Sequence, residues 1–317
     1  MIDPTADTKL FRLARRLPDN RLGLGIMHLN NLAAKWGKLP EDLLVETVYI
    51  PRPPEIGKGN IRTLVIKPRQ MAGKLPIVVH FHGGGFAIGT PEQNYGRAAR
   101  YIAERPAIFV MPDYRLSQRH PFPAGLDDCY ETLLWARDVA EQIGGRSDQL
   151  FVMGESGGGG LVAAVAQMAQ DRGEVNIACQ FPIYGMFDDR PENFTDCDPA
   201  NLLWSRGKNI LAWDMYLRGR ATADCAVPAR RASVAGQPPA VGFVGDQDLF
   251  LDENIAYFER LAAAGVPTTF KVFEGAYHGV EVIAPQSDSA QAMWAFSLKA
   301  FADAVDTYTA AQPNALP

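Results

Sequence analysis

The chain has 317 residues, of which 47% are hydrophobic and 21% charged, and its formal net charge is −5. This composition is close to the average of globular proteins and supplies enough apolar side chains for a core of ordinary size. The charge is spread along the sequence, and no basic block or acidic tail indicates a nucleic acid or a polyanion as a partner.

Short apolar runs alternate with longer amphipathic stretches from about residue 45 onward. Several runs have Val, Ile and Phe on consecutive positions, which is typical of strands buried on both faces. This alternation predicts an α/β fold, with a mostly parallel eight-stranded sheet and helices on both faces. The predicted strands are 46–50, 62–67, 76–81, 107–111, 149–153, 177–182, 240–244 and 269–273, and the predicted helices are 93–104, 127–143, 156–170, 252–264 and 287–306.

Two segments do not follow this alternation. Residues 1–45 predict one or two helices and no strand, and residues 186–236 are polar and interrupted by prolines. We expect both to pack over the carboxyl edge of the sheet as a helical cap on a single domain that spans residues 1–317. Aromatic residues of these segments are candidates for lining a pocket under the cap, although packing of the cap onto the domain is the simpler interpretation for each: Trp36, Met186–Phe187 and Trp204–Tyr216.

The sequence predicts neither a signal peptide nor a membrane span. The first seven residues include two aspartates and a proline, where a secretory signal would have an apolar run. The longest apolar stretches, such as 161–166, are far shorter than the roughly 20 residues of a spanning helix. The four cysteines form no C-x-x-C pair, which favours free thiols. We therefore predict a cytoplasmic protein without membrane contact, metal or cofactor.

A serine stands between a predicted strand and a predicted helix. Ser156 lies in Gly-Glu-Ser-Gly-Gly, directly after the apolar run 150–153. The backbone of such a turn is strained, and Gly154 and Gly158 must lack side chains for it to close. By itself, G-x-S-x-G often marks only a turn. The strand before it and the helix after it favour a nucleophile at the positive end of a helix.

A glycine-rich loop follows the third predicted strand. His82 begins it, and Gly83, Gly84 and Gly85 come next. Successive glycines allow backbone N–H groups to approach a ligand closely, as the oxyanion of a tetrahedral intermediate requires. The predicted oxyanion hole comprises Gly83, Gly84, Gly85 and Gly157, with the amides of Gly84 and Gly85 as donors and that of Gly157 as a third. A phosphate-binding loop would need a lysine followed by serine or threonine, and neither is present.

A catalytic base for Ser156 must follow it in the sequence, because enzymes with this elbow have the order serine, acid, histidine. Of the five histidines only His278 qualifies. Two candidates for the acid, Asp246 and Asp248, follow the predicted strand 240–244, and spacing does not separate them. The next two acidic residues, at 252 and 253, suit the first turn of a helix.

Several motifs occur together and in order between about residues 75 and 285. They are His82–Phe86, Asp113–Leu116, His120–Ala124, Asp127–Asp128, Gly154–Gly158, Pro238–Ala240, Asp248 with Asp252–Glu253, and His278–Gly279. Their joint occurrence resembles the hormone-sensitive lipase-like family of bacterial esterases, which implies an α/β-hydrolase fold. In that family the acid opens a D-P-L-x-D-E run, so the resemblance implies Asp248 as the acid.

The chain departs from the commoner family pattern at five positions, three in the elbow and two elsewhere. Glu155 replaces aspartate, Gly157 replaces alanine, and Gly160 stands where asparagine is usual. Leu249 takes the place of proline after the acid, and Arg119 that of glutamate before His-Pro. None of these changes removes a catalytic atom, but the additional glycines predict a looser elbow.

The residues and the resemblance together predict a serine carboxylesterase that acts on short- to medium-chain esters. Ser156 would attack the ester carbonyl, His278 would accept its proton, and Asp248 would orient the imidazole. An amidase or deacetylase would use the same three residues, and a long-chain lipase would need an exposed amphipathic lid that the sequence does not indicate. A receptor on this fold would usually lack one member of the triad. The predicted partner is a small-molecule ester, and a homodimer is compatible with the sequence.

Overall fold

All eight predicted strands form in the computed structural model of the chain, which describes residues 2–32, 37, 39–198, 203–219 and 224–313. The predicted α/β class is therefore confirmed. The strands are β1 Leu43–Pro51, β2 Asn60–Pro68, β3 Leu75–Phe81, β4 Ile108–Pro112, β5 Gly145–Glu155, β6 Cys179–Ile183, β7 Ala240–Gln247 and β8 Thr268–Tyr277.

The strands make one sheet in the order β1-β2-β4-β3-β5-β6-β7-β8. β2 pairs antiparallel with β1 and with β4, and every other neighbouring pair is parallel. Parallel strands present their carboxyl ends at one edge, where the following loops meet. β5, β7 and β8 therefore deliver the segments that follow them to the same edge of the sheet.

Ten helices lie among the described residues. They are α1 Lys9–Ala14, α2 Arg21–Leu32, α3 Tyr95–Glu104, α4 Ala124–Asp138, α5 Ala140–Ile143, α6 Gly157–Arg172, α7 Arg206–Leu217, α8 Leu251–Ala263, α9 Val280–Ile283 and α10 Asp288–Thr307. Short 3-10 turns add Pro4–Ala6, Pro91–Asn94, Pro191–Asn193, Asp224–Ala226 and Pro228–Arg230.

Two sequence predictions about these elements were wrong. The predicted helix 127–143 is two helices, because Val139 leaves the helical region with φ −100° and ψ 9°. The segment 1–45 was predicted to contain no strand, but β1 already begins at Leu43. Its pairing with β2 runs without a break from Leu43 opposite Pro68 to Pro51 opposite Asn60, so the ladder extends the strand toward the N-terminus.

The core lies on both faces of the sheet. β3 shows this most clearly, because Ile77, Val79 and Phe81 pack in one cluster of buried apolar side chains while Val78 packs in another. Alternate residues of a strand point to opposite faces, so a strand covered on both sides needs apolar residues at every position. This is why the buried strands could be recognised as continuous apolar runs.

The N-terminal helices are joined to the region around α7. Lys208 is buried, and its Nζ donates to the Leu17 carbonyl at 3.0 Å and to Asp19 Oδ1 at 2.8 Å. Ser205 caps α7 by accepting from the Lys208 amide. We propose that these segments act as the cap predicted from the sequence.

Over the described residues, the helices are too short or too polar for any of them to cross a bilayer.

Candidate active site

Three of the predicted site residues form a hydrogen-bonded chain at the carboxyl edge of the sheet. His278 Nε2 lies 2.9 Å from Ser156 Oγ, and His278 Nδ1 lies 2.8 Å from Asp248 Oδ2. All three residues are buried, with 6%, 8% and 1% exposure for Ser156, His278 and Asp248. The second oxygen of Asp248 accepts from the Phe250 amide at 3.0 Å. The carboxylate is thus held while it bonds the imidazole.

The structure separates the two candidate acids. Asp246 accepts from the Gly275 amide at 2.7 Å and is not bonded to the histidine. Asp248 lies two residues further on, just past the end of β7, where its side chain reaches the loop after β8. Asp252 and Glu253 lie in the first turn of α8, as predicted, and Glu253 accepts from the backbone amides of residues 187 and 188.

The serine occupies the strained turn that its sequence predicts. Ser156 has φ 59° and ψ −122°, a backbone conformation that side-chain-bearing residues seldom adopt. A Cβ at Gly158 would lie 2.0 Å from the Phe81 carbonyl oxygen, and one at Gly154 would lie 2.6 Å from the same atom. The turn closes only because both positions are glycine. It projects Ser156 at the N-terminus of α6, where the helix dipole favours negative charge.

The glycine-rich loop lies directly against this elbow. Gly84 and Gly85 have φ +125° and φ +55°, and a Cβ at Gly157 would be 2.8 Å from the amide nitrogen of Gly85. Within the described part of the chain, no hydrogen bond uses the amides of these three glycines. Gly83 lies on the same side, with an ideal Cβ 3.5 Å from that of Ser156, and its carbonyl accepts from Gln93 Nε2. The arrangement brings unpaired donors to the serine, as binding of an oxyanion requires.

The additional glycines of the elbow have a packing reason. An alanine at Gly157 would push against the backbone of Gly85 and Phe86, and any side chain at Gly160 would begin 2.3 Å from the Met186 carbonyl oxygen. These glycines therefore permit close approach of neighbouring backbone. All glycines of the elbow are buried, so the sequence-based prediction of a looser elbow finds no support in the packing.

Ser156 opens into a pocket of about 160 Å³. Its apolar lining comes from α2, the glycine-rich loop, the segment before α7 and α9, and comprises Met27, Ile88, Leu203, Trp204 and Val282. A larger cavity of about 580 Å³ lies elsewhere, around Tyr257 and Arg260, and contains none of the three bonded residues.

The aromatic residues predicted to line a pocket fall into three groups. Trp204 does line it, and a Cβ at Gly85 would lie 2.6 Å from the Trp204 ring. Met186 and Phe187 are instead fully buried, with Phe187 stacked on Tyr257 at 4.3 Å. On α7, Trp213 and Tyr216 pack against the Phe86 ring. Trp36 lies outside the described residues.

Three residues near the serine were not found by sequence reasoning. Arg97, Tyr184 and Glu281 are buried beside it, and Arg97 and Tyr184 line the same pocket. Of the three, only Glu281 could have been suspected from the sequence, because it stands three residues after His278. The other two come from distant parts of the chain and carry no motif.

The first residue of the glycine-rich loop is a fully buried histidine. His82 stacks on Tyr114 with ring centroids 4.2 Å apart, and its Nδ1 lies 2.9 Å from the Gly83 carbonyl oxygen. Burial lowers the pKa of His82 to about 4, and the bond to Gly83 offsets only part of this effect. His82 is therefore neutral at pH 7, when its Nδ1–H donates to Gly83.

This pKa predicts a loss of stability in mild acid. The pKa of an unfolded histidine is about 6.5. As pH falls, the unfolded chain therefore takes up the proton before the folded one does. Neutral His82 therefore contributes about 3 kcal/mol to the free energy of unfolding. This contribution is complete above pH 6.5 and is lost as the pH falls toward 4. Urea denaturation between about pH 4.5 and 7 should show this decline, and His82→Asn should flatten it.

The exposed His120 provides the control for this measurement. His120→Asn should leave the pH dependence of the unfolding free energy as it is in the wild type. Equal slopes for the wild type and His82→Asn would contradict a buried neutral imidazole at this position.

Comparison with known proteins places this chain among hydrolases. A family model described as alpha/beta hydrolase fold matches residues 78–282. The Carboxylesterase NlhH of Mycobacterium tuberculosis is 33% identical over 221 residues, which are 66% of this chain and 68% of that protein.

Solved structures agree with this match over almost the whole chain. The Bacterial Heroin Esterase superposes with a TM-score of 0.84 at 29% identity and covers 96% of this chain and 98% of its own. Esterase LipW from Mycobacterium marinum gives a TM-score of 0.81 at 27% identity, again over 96% and 98% of the two chains.

Proposed function

The chain belongs to the α/β-hydrolase family and is a carboxylic ester hydrolase, and we propose that it cleaves its esters through an acyl-enzyme formed on Ser156. The observation that carries this proposal is the chain of hydrogen bonds from Asp248 through His278 to Ser156 Oγ, at 2.8 and 2.9 Å. A serine hydroxyl is a weak nucleophile until a base takes its proton, and the imidazole stands at the right distance to do so.

Acylation follows from this arrangement. The bond from Asp248 fixes the imidazole with its proton on Nδ1, which leaves Nε2 free to accept the proton of Ser156. Ser156 Oγ attacks the ester carbonyl, and negative charge develops on the carbonyl oxygen. The amides of Gly84, Gly85 and Gly157 are the donors for this oxyanion. Each such donor contributes about 3–4 kcal/mol of transition-state stabilisation. Imidazolium then protonates the leaving alcohol.

Deacylation repeats these steps with water as the nucleophile. His278 removes a proton from a water molecule, and the resulting hydroxide attacks the acyl carbonyl on Ser156 Oγ. The same amides stabilise the second oxyanion. Collapse of this intermediate returns the proton to Ser156 and releases the carboxylic acid.

The dimensions and lining of the pocket support short- to medium-chain acyl groups. Its volume of about 160 Å³ is close to that of a protein cavity that encloses one benzene molecule. Apolar side chains from Met27, Ile88 and Leu203 suit a hydrocarbon chain. A small-molecule ester is therefore the substrate that we propose. Residence in the cytoplasm and assembly as a homodimer stay predictions from the sequence.

A panel of substrates tests the proposal. With p-nitrophenyl esters of increasing acyl length, we expect kcat/KM to be highest for acyl groups of about two to six carbons, because longer chains extend beyond the pocket and its apolar lining. Activity should fall steeply toward the laurate. The matching p-nitroanilides should be turned over far more slowly, since the anilide is the poorer leaving group.

The panel also distinguishes the alternatives. Faster turnover of an anilide than of its matching ester would indicate an amidase. Highest activity on the laurate would indicate a lipase, and a complete lack of turnover together with no fluorophosphonate labelling of Ser156 would indicate a receptor.

A further inference from the structure

Buried charged side chains form a cluster next to the nucleophile. Arg97 on α3, Glu155 at the end of β5 and Glu281 on α9 are 6%, 5% and 4% exposed. Charged groups are almost never buried to this degree unless they are paired. We call these three residues and Tyr184 the arginine cluster.

The guanidinium of Arg97 bridges the two carboxylates. Its Nη2 donates to Glu281 Oε1 at 2.7 Å, and its Nε lies 3.0 Å from Glu155 Oε1. Tyr184 joins the same oxygen of Glu281 by donating its hydroxyl proton to it, and Arg97 Nη2 lies 3.2 Å from the Tyr184 hydroxyl. His80 Nε2 completes the surroundings at 2.8 Å from Glu155 Oε1.

The two bridged carboxylates belong to the two segments that must meet for catalysis. Glu155 is the last residue of β5 and immediately precedes Ser156. Glu281 lies on α9, three residues after His278. β5 and β8 are not neighbours in the sheet, because β6 and β7 lie between them. Arg97, which comes from α3, thus links the elbow and the histidine loop across that gap.

The electrostatics of Glu155 agree with a real ionic link. Burial alone would raise the pKa of Glu155, but the positive charge of Arg97 and then the interaction with His80 lower it below its usual value. Glu155 therefore stays ionised, and its attraction to Arg97 persists at neutral pH. The aromatic ring of Tyr184 also packs edge-on against the His278 ring at 5.0 Å, so the cluster contacts the base directly.

We propose that Arg97 is a positioning residue, which holds Ser156 and His278 in register by bridging Glu155 and Glu281. This inference rests on the proposed function, because it concerns the transfer of a proton from Ser156 to His278. A displacement of about 1 Å between reacting groups costs about 100-fold in rate. A guanidinium that donates a hydrogen bond to Glu281 and forms an ion pair with Glu155 fixes this separation, which explains why three charges are buried here.

The test compares Arg97→Met with Arg97→Lys. Methionine keeps much of the side-chain volume but cannot bond either carboxylate. We expect kcat for p-nitrophenyl butyrate to fall about 100-fold while KM changes little, because alignment rather than binding is lost. Lysine retains the charge and can bond a carboxylate, so it should recover about tenfold of that loss. The rate of fluorophosphonate labelling of Ser156 should follow kcat in both variants.

A double-mutant cycle identifies the partner through which Arg97 acts. Glu281→Met and Arg97→Met each break the same bridge, so the double variant should be no slower than the slower single variant. If the double variant instead loses the product of the two single-variant losses in kcat, Arg97 and Glu281 act independently and the bridge is contradicted. If a methionine variant does not fold, the cycle is run with Glu281→Gln in place of Glu281→Met and with Arg97→Lys in place of Arg97→Met. Glutamine keeps a hydrogen-bond acceptor at position 281.

Arg52→Met is the matched control for lost stability. Arg52 Nε bonds the buried carboxylate of Asp128 at 2.8 Å and touches none of the catalytic side chains. Its loss should lower the unfolding temperature, as the loss of Arg97 should, but leave kcat unchanged. The proposal is overturned if kcat of Arg97→Met stays within about threefold of wild type, or if Arg52→Met loses kcat to the same extent.

Failure of this inference is distinguishable from failure of the proposed function. Ester turnover by the wild type and its loss in Ser156→Ala decide the function. The Arg97 variants are compared with the wild type and decide only how the nucleophile and base are aligned.

Discussion

Ser156→Ala is expected to lower kcat on p-nitrophenyl butyrate about a million-fold, the loss measured when a triad nucleophile is removed elsewhere. The hydroxyl that His278 Nε2 reaches at 2.9 Å is the atom that forms the acyl bond. No other side chain is bonded to that nitrogen among the described residues. KM, measured on whatever activity is left, should change little, because the pocket and the oxyanion donors stay in place.

Ser297→Ala is a suitable control for this substitution. Ser297 is also buried, and its hydroxyl is bonded to Tyr101 in the packing of α10 against α3. Its loss should cost some stability and no turnover. A fluorophosphonate should label the wild type and Ser297→Ala stoichiometrically, and it should not label Ser156→Ala. If Ser156→Ala keeps more than about one hundredth of wild-type kcat, a different nucleophile operates.

The fold could be predicted because buried parallel strands have a direct signature in the sequence. β3 lies between β4 and β5 and is covered on both faces, so its residues 77–79 must all be apolar. The elbow could be predicted for a related reason. Gly154 and Gly158 have no room for a Cβ, and the sequence records this constraint at fixed distances from Ser156. Elimination then left His278 as the only histidine after it.

The arginine cluster could not be predicted because its contacts are long-range and its residues follow no motif. Arg97 and Glu281 are separated by 184 positions and meet only after α3 and α9 pack against the sheet. A charged residue in an amphipathic helix is normally solvated, and nothing local distinguishes Arg97 from Arg100 on the same helix. The break of the predicted helix 127–143 at Val139 is likewise a tertiary effect, since no proline or glycine precedes it there.

The catalytic acid shows where sequence and structure contribute differently. Asp246 and Asp248 are equivalent by spacing, and only the resemblance to a family separated them. The structure adds an independent reason, because Asp248 bonds His278 Nδ1 at 2.8 Å while Asp246 bonds the Gly275 amide at 2.7 Å. The assignment of Asp248 as the acid is therefore our proposal with a defined geometric basis.

Asp248→Asn is expected to lower kcat about ten-thousand-fold. The carboxylate accepts a hydrogen bond from His278 Nδ1–H, and this bond keeps Nε2 available as the base. An asparagine can turn its amide N–H toward Nδ1, which stabilises the opposite tautomer with the proton on Nε2. In that tautomer His278 cannot take the proton of Ser156. The substitution changes hardly any volume, so the loss reflects the position of a proton rather than a cavity.

Asp246→Asn provides the matched comparison, two residues earlier at the end of β7. Its amide oxygen can still accept from the Gly275 amide, and Asp246 is not bonded to His278, so kcat should stay within about threefold of wild type. Measuring kcat for both variants with one ester decides between the two acids. A large loss in Asp246→Asn with a small one in Asp248→Asn would reverse the assignment. Near-equal, small losses in both would mean that His278 is oriented by its packing against Tyr184 and Phe250 instead of by a carboxylate.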